Sequence, residues 1–247
     1  MVRSKGKVCY YCGEPATGQE HAPPKQMFKA FDCDSITVPS CDGHNTSKSF
    51  DDQVIIDLLM HGVDWQRKRA SIGKHASEAL SLRPSSFTRT KRLIDYASPV
   101  DHPAVPTIPY LERGPDIYTW MQCIAAALVF DGAGFRDPRI DWSAALVFSP
   151  SFLPGPKGLS MPLDDAAQWL RARQQTADGW DRSFDWRKGW SAQPKPYPAD
   201  VFAFDVGFYR RGFVGLRLLF YGESRWYVVT HMCGRTRRAL RQRLATV

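Results

Sequence analysis

The first clear periodicity in apolar positions begins after Asn45. There Val54, Ile55, Leu58, Leu59 and Gly62 recur at helical spacing, with Asp51, Asp52 and Asp57 off the apolar face. Asp51 and Asp52 fall near the start of that helix, where the dipole favours negative charge, and read as a cap and a solvated face, the alternative being the outer shell of a metal site. Residues 63–95 read as a basic helical connector. Pro99, Pro103, Pro106, Pro109 and Pro115 then break regular structure and mark a linker. Beyond it, Ile117 to Phe130 predicts a buried helix, Ala144 to Phe148 a short strand, and Asp164 to Gln175 an amphipathic helix with an acidic first turn. Loop-like stretches lie at Pro150 to Pro162 and Gln193 to Pro198. Three apolar or alternating runs follow, Val201–Phe208, Phe213–Tyr221 and Trp226–His231, with Gly222 and Glu223 as a turn. The pattern predicts an α+β domain with an antiparallel meander, closed by an Arg-rich helix.

Composition narrows the class. The chain has 247 residues, of which 43% are apolar, enough for a packed core and incompatible with a disordered or collagen-like chain. The apolar run from Ile117 to Phe130 is interrupted by Thr119 and Gln122 and falls short of the ~20 residues a membrane span needs. Residues 1–7 are basic but lead into no apolar h-region, so the sequence reads as a soluble, cytoplasmic protein.

Charge is unevenly placed within a net of +8. Residues 1–62 hold six basic and eight acidic side chains, whereas residues 63–95 hold eight basic against three acidic. The basic group includes Arg67, Lys68 and Arg69. Five arginines (Arg235, Arg237, Arg238, Arg241 and Arg243) crowd the last thirteen residues. A slightly acidic head beside two basic segments suits a cation site flanked by polyanion contacts; solvated helix faces would give the same counts.

The six cysteines are not distributed as disulfide pairs. Cys9 and Cys12 form one Cys-x-x-Cys turn, and Cys41 and His44 form a second pair in Cys-Asp-Gly-His. Two such knuckles offer the four ligands that tetrahedral zinc requires, with Gly13 and Gly43 permitting tight turns. A redox dithiol is the alternative for Cys9 and Cys12, but no β-α-β pattern surrounds them. Cys33 is left over as buried or free, while Cys123 and Cys233 read as core residues.

Between the knuckles lies Glu20-His21-Ala22-Pro23-Pro24-Lys25, and the second knuckle sits in Thr37-Val38-Pro39-Ser40-Cys41-x-x-His44-Asn45-x-x-Lys48. In order and spacing, about residues 8–60 resemble the zinc-bearing ββα-metal subgroup of the HNH endonucleases. The resemblance implies that Glu20 and Asn45 hold a catalytic divalent ion, Mg²⁺ or Mn²⁺, and that His21 is the general base on the attacking water. Cys9, Cys12, Cys41 and His44 would hold a separate structural zinc, His44 standing where the family has cysteine. The family's middle asparagine, which orients the base, has no clean counterpart; Asp34 or Ser35 lies nearest. Lys25 and Lys48 are placed to meet a phosphate, with Arg67, Lys68 and Arg69 as further nucleic-acid contacts.

These readings define three parts: an HNH nuclease module at 1–62, a basic connector and Pro-rich linker at 63–112, and an α+β domain with an Arg-rich tail at 113–247. The expected reaction is metal-dependent hydrolysis of DNA phosphodiester bonds, most simply in double-stranded DNA. A double-strand cut by a single-site nuclease would favour a homodimer. The rival readings are a zinc-stabilised nucleic-acid-binding module that does not cut, a nuclease directed at RNA, and a zinc-bearing interaction protein with no nucleic-acid role. Trp180, Phe184, Trp186 and Trp190 interleave with Arg182, Arg187 and Lys188, a pattern that suits either base stacking or core packing.

Overall fold

A computed structural model describes residues 7–28, 31–45, 117–148, 184–191, 195–209, 212–221 and 224–246, together with Asp52, Ile55, Ile56 and Leu59. The connector at 63–112 and the helix expected at Asp164 to Gln175 lie outside the described residues, as do Trp180, Lys48, Arg67, Lys68 and Arg69.

Seven strands, three α-helices with described bounds, a 3-10 turn at Lys25–Phe28 and helical residues between Asp52 and Leu59 order the described chain. Strands β1 (Gly18–His21) and β2 (Thr37–Ser40) form an antiparallel pair, followed by the single turn α1 (Asp42–Asn45). Helix α2 spans Ile117–Ala133. It precedes β3 (Leu146–Phe148), β4 (Asp185–Lys188), β5 (Phe202–Phe208), β6 (Phe213–Phe220), β7 (Ser224–His231) and helix α3 (Gly234–Leu244). The larger sheet is wholly antiparallel, in the order β3-β7-β6-β5-β4. The chain is thus α+β, and the meander falls where the apolar alternation placed it. Strand β4 had no such signal, because Asp185, Arg187 and Lys188 are exposed on an edge strand that contributes one large apolar side chain, Trp186.

Alternation sorts the sheet's two faces. Phe202, Phe204, Val206 and Phe208 of β5 stand beside Phe220, Leu218, Leu216 and Val214 of β6, and all are buried. Each such side chain contributes ~2 kcal/mol by leaving water. Helix α2 covers this face, with Trp120 against Phe220 and Tyr118 against Trp226. Every residue from Trp120 to Val129 is buried, as expected of a helix with protein on all sides. Its polar groups are met: Gln122 Nε2 donates to the Ala145 carbonyl at 2.9 Å. On the sheet's other face, Trp186 lies over Gly207 and Gly215, where a Cβ would approach its ring to 2.6 and 3.0 Å. Phe184 stacks on Trp186, and Arg217 sits 5.0 Å above the indole while pairing with Asp205. Among the described members of that aromatic segment, Phe184 and Trp190 are buried in packing.

The head of the chain shares the same core. Cys9, Tyr10, Ala22, Met27, Phe28, Ile36 and Val38 join Ile55, Ile56, Leu59 and α2 in one continuous apolar cluster. Ile55, Ile56 and Leu59 are helical and buried, in keeping with the apolar face expected there. Asp52 accepts a hydrogen bond from the Trp120 indole at 2.7 Å, so this acidic side chain ties two helical segments together. No helix among the described residues is long and apolar enough to cross a membrane.

The loop after α2 makes a second tie. Asp137 Oδ2 accepts hydrogen bonds from Thr236 Oγ1 at 2.6 Å and Cys233 Sγ at 2.7 Å, and Oδ1 accepts from Arg139 Nε at 3.0 Å. Cys233 is therefore not the core residue the apolar run suggested; it is half-buried in a polar cluster at the N-terminus of α3. Burial raises the Asp137 pKa, but the donors Cys233, Thr236 and Arg139 outweigh it and hold the carboxyl well below its usual range. Because the folded-state pKa is depressed, the resulting stability is complete above the unfolded-state value of about 3.9 and is lost as pH falls through the folded one. Asp137→Asn should cost ~2–3 kcal/mol in urea unfolding at pH 7, with the deficit narrowing below about pH 4. An unchanged midpoint at pH 7 would show that the cluster carries no such weight.

Candidate metal centre and the adjoining hairpin

The first knuckle is a miniature hairpin. Val8 bridges Pro15, the Cys9 N–H donates to the Glu14 carbonyl at 2.7 Å, and the Gly13 N–H returns to the Cys9 carbonyl at 3.1 Å. Gly13 turns at φ +85°, a conformation disfavoured by a side chain. A Cβ there would also meet the Arg136 guanidinium at 2.9 Å. The second knuckle follows β2 directly. The His44 N–H donates to the Cys41 carbonyl at 3.1 Å, and Thr17 Oγ1 donates to Asp42 Oδ1 at 2.6 Å.

These two turns bring together Cys9, Cys12, Cys41 and His44, whose ligand atoms all lie within 4.8 Å of one another. Cys12 Sγ is 3.7 Å from Cys41 Sγ, and His44 Nδ1 lies 3.2 Å from Cys41 Sγ and 3.9 Å from Cys9 Sγ. Zinc–sulfur bonds of about 2.3 Å at tetrahedral angles place sulfurs ~3.8 Å apart, so the donor set fits such an ion. Burial raises the Cys9 pKa, but the backbone N–H groups of Cys12, Cys41 and Tyr11 favour its thiolate and bring the net value down. Cys12 is pushed up to about 11, first by burial and then by its Cys41 and Cys9 neighbours, against the Glu14 N–H. A bound cation would supply what lets several thiolates coexist in so small a volume. Around the cluster, the Tyr11 ring packs 4.7 Å from His44, and Arg136 Nε donates to the Tyr11 carbonyl at 3.2 Å.

Glu20 and His21 end β1. Register places Glu20 opposite Val38 and His21 opposite Thr37. Alternation puts Gly18 and Glu20 on one face and Gln19 and His21 on the other. Asn45 comes back over the first of these faces: a Cβ at Gly18 would lie 3.1 Å from Asn45 Nδ2, so the glycine leaves room for the amide about 7 Å along the strand from Glu20. Glu20 is 7% exposed, and its Oε2 accepts a hydrogen bond from the Tyr10 hydroxyl at 2.9 Å. The Tyr10 pKa is raised strongly, by burial first and then by Cys123 and Glu20, so the phenol remains a donor.

His21 is half-buried, and its buried Nδ1 has no hydrogen-bond partner among the described residues. Burial lowers its pKa, Lys25 lowers it further, and Glu20 pulls the other way without prevailing. Asp34, the nearest sequence candidate for an orienting residue, is instead engaged with Lys195. Its N–H donates to the Lys195 carbonyl at 2.8 Å, and its carboxylate accepts the Lys195 N–H at 3.2 Å.

A residue 161 positions from Ile36, just before β2, closes the hairpin behind His21. The Ile36 N–H donates to the Tyr197 hydroxyl at 2.6 Å, and that hydroxyl donates to the Ala22 carbonyl at 3.0 Å. The phenol thus extends the ladder where the strands part, with its ring stacked on Phe28 at 4.6 Å. Tyr10, Arg136 and Tyr197 were not legible as site residues. Tyr10 lies inside the knuckle motif and offered a local hint, whereas Tyr197 sits in a proline-flanked loop with none.

The fold and site define an α+β chain whose N-terminal hairpin is bracketed by a three-cysteine, one-histidine cluster. Comparison with family models, with curated proteins and with solved structures finds no match.

Cys12→Ala should abolish stoichiometric zinc binding, measured by elemental analysis, and melt the hairpin, because metal affinity in so small a module is folding energy. A folded, zinc-replete Cys12→Ala protein would contradict the four-ligand site. Tyr197→Phe leaves the buried Ile36 N–H and Ala22 carbonyl without their shared partner and should cost ~1–3 kcal/mol in urea unfolding. Unaltered hydrogen-exchange protection of the Ile36 amide would show that Tyr197 does not clamp the strands.

Proposed function

We propose that the chain is a metal-dependent endonuclease of HNH type that hydrolyses phosphodiester bonds in DNA. The observation that carries this reading is the placement of His21. It is a half-buried imidazole of lowered basicity, next to a buried carboxylate, on a hairpin bracketed by the Cys/His cluster. Near neutral pH such an imidazole is unprotonated and accepts a proton from water as the water oxygen attacks phosphorus. Burial, assisted by the charge of Lys25, favours the neutral imidazole, and Lys25, exposed at the start of the next turn, would meet a phosphate oxygen.

Glu20 and Asn45 share one face of β1 and are the residues that would hold a divalent ion. Their two oxygens suit Mg²⁺ or Mn²⁺ with several retained waters. When bound, that ion would neutralise charge on the phosphate and on the departing oxygen. Tyr10 fixes the Glu20 carboxylate from the core side, and zinc held by Cys9, Cys12, Cys41 and His44 would fix β1, which carries Glu20, relative to α1, which carries Asn45. In the wider reading, 1–62 is the nuclease module, 113–247 supports it, and a homodimer is the assembly for double-strand cutting.

One observation favours a second reading. Glu20 is deeply buried on Tyr10, and His21 Nδ1 lacks an orienting partner among the described residues, as in a zinc-stabilised module that holds nucleic acid without cutting it. Incubation of plasmid DNA, and separately RNA, with the zinc-loaded protein and Mg²⁺ or Mn²⁺ separates the readings. The nuclease reading expects nicked or linear DNA. It also expects His21→Ala to abolish cleavage while zinc content and DNA affinity stay nearly unchanged. Because a base acts when unprotonated, the rate should rise with pH to a plateau, with its midpoint below the ordinary imidazole value of 6.5. DNA bound but uncut with every ion would establish the binding module, and cleavage by His21→Ala would remove His21 from the mechanism.

A further inference from the structure

Helix α3 is the most highly charged element among the described residues. It carries Arg235, Arg237, Arg238, Arg241 and Arg243 and no acidic side chain. Its apolar side is spent: Leu240 and Thr236 are buried against the rest of the protein. On a 3.6-residue repeat the opposite side presents Arg238, flanked by Arg235 and Arg241, and all three are exposed. Among the described residues none of the five arginines forms an ion pair with a carboxylate.

Four of them are nevertheless held in place. Arg235 lies 4.5 Å over the Phe135 ring, Arg241 4.8 Å over Phe208, and Arg243 5.9 Å over Trp190. Arg237 donates to the Tyr209 carbonyl at 3.2 Å. Stacking and carbonyl contacts orient guanidinium groups without neutralising them. The result, among the described residues, is a row of positive charge without a carboxylate partner, whose self-repulsion a polyanion would relieve.

The row is also fixed relative to the hairpin. Within one loop Arg136 donates to the Tyr11 carbonyl of the first knuckle, while Asp137 binds Cys233 and Thr236 at the start of α3. Two adjacent residues therefore set the distance between the metal cluster and the arginine helix.

From this arrangement we propose that α3 is a nucleic-acid backbone-binding helix, in which Arg235, Arg238 and Arg241 contact successive phosphates. Spaced three residues apart, these side chains span about 9 Å of helix axis, which matches two to three nucleotides at ~3.4 Å of rise. A membrane surface is the poorer occupant, because an interfacial helix keeps an apolar face free to enter lipid, and α3 has already buried its own. The inference takes its choice of nucleic acid from the nuclease reading, but its test needs no cleavage.

The experiment measures fluorescence anisotropy of labelled duplex DNA titrated with the zinc-loaded full chain, without Mg²⁺, from about 50 to 200 mM salt. The triple variant Arg235→Ala/Arg238→Ala/Arg241→Ala should reduce the slope of log affinity against log salt by about 2–3 and weaken binding on the order of 50- to 100-fold near 0.2 M salt. Arg238→Ala, whose side chain supports no packing, should lose about one unit of slope and about fourfold in affinity, and Arg238→Lys should restore the slope. Equal slopes for wild type and Arg238→Ala, or no binding by wild type, would overturn the proposal. Equal capture by phosphatidylserine-rich vesicles, or equal displacement by polyglutamate, would overturn the choice of nucleic acid. A chain that binds with these slopes but never cuts would sink the nuclease reading and leave the α3 assignment standing.

Discussion

The convergence of Cys9, Cys12, Cys41 and His44 is the constraint on which the rest of the head depends. Strands β1 and β2 have four residues each, and α1 is one turn. Elements this short do not hold their shape in isolation, since a two-stranded ribbon is marginal in water and a single helical turn has not repaid its nucleation cost. Two knuckles, one before β1 and one after β2, meet at one cluster where a bound metal would supply the missing cross-link. They fix β1 relative to α1, and with it the approach of Asn45 to the face that bears Glu20.

That cross-link is backed by the remainder of the chain rather than by a core of its own. Tyr10 and Val38 reach the apolar cluster around α2, and Tyr197 substitutes for a rung of ladder where the hairpin opens. Arg136 and Asp137 then couple the first knuckle to α3. A hairpin held on three sides keeps its side chains in place without large elements, which suits a site whose groups must be preorganised. The proposed chemistry at His21 and the proposed phosphate contacts on α3 are thus two ends of one mechanical unit.

Much of this was legible from local pattern. Alternation in β5 and β6 and the apolar run of α2 report burial directly, because each residue's neighbours there are set by the period of its own element. The Cys/His spacing announced the cluster, since tetrahedral ligation demands four such donors and the turns supply them in pairs. What stayed hidden depends on partners distant in sequence. Tyr197 sits among prolines, yet its hydroxyl completes a strand pair 161 residues away. Cys233 closes an apolar strand, yet Asp137 draws its thiol into a polar cluster. Asp52 looked solvated and instead receives the indole of Trp120. In each case a single long-range hydrogen bond decided the role, and no periodicity encodes it.

Zinc K-edge X-ray absorption on the purified full chain tests the central claim most directly. A shell of three sulfurs at about 2.3 Å and one nitrogen at about 2.0 Å would establish the closed cluster that organises the hairpin. A shell dominated by oxygen, or a folded chain without bound metal, would contradict it.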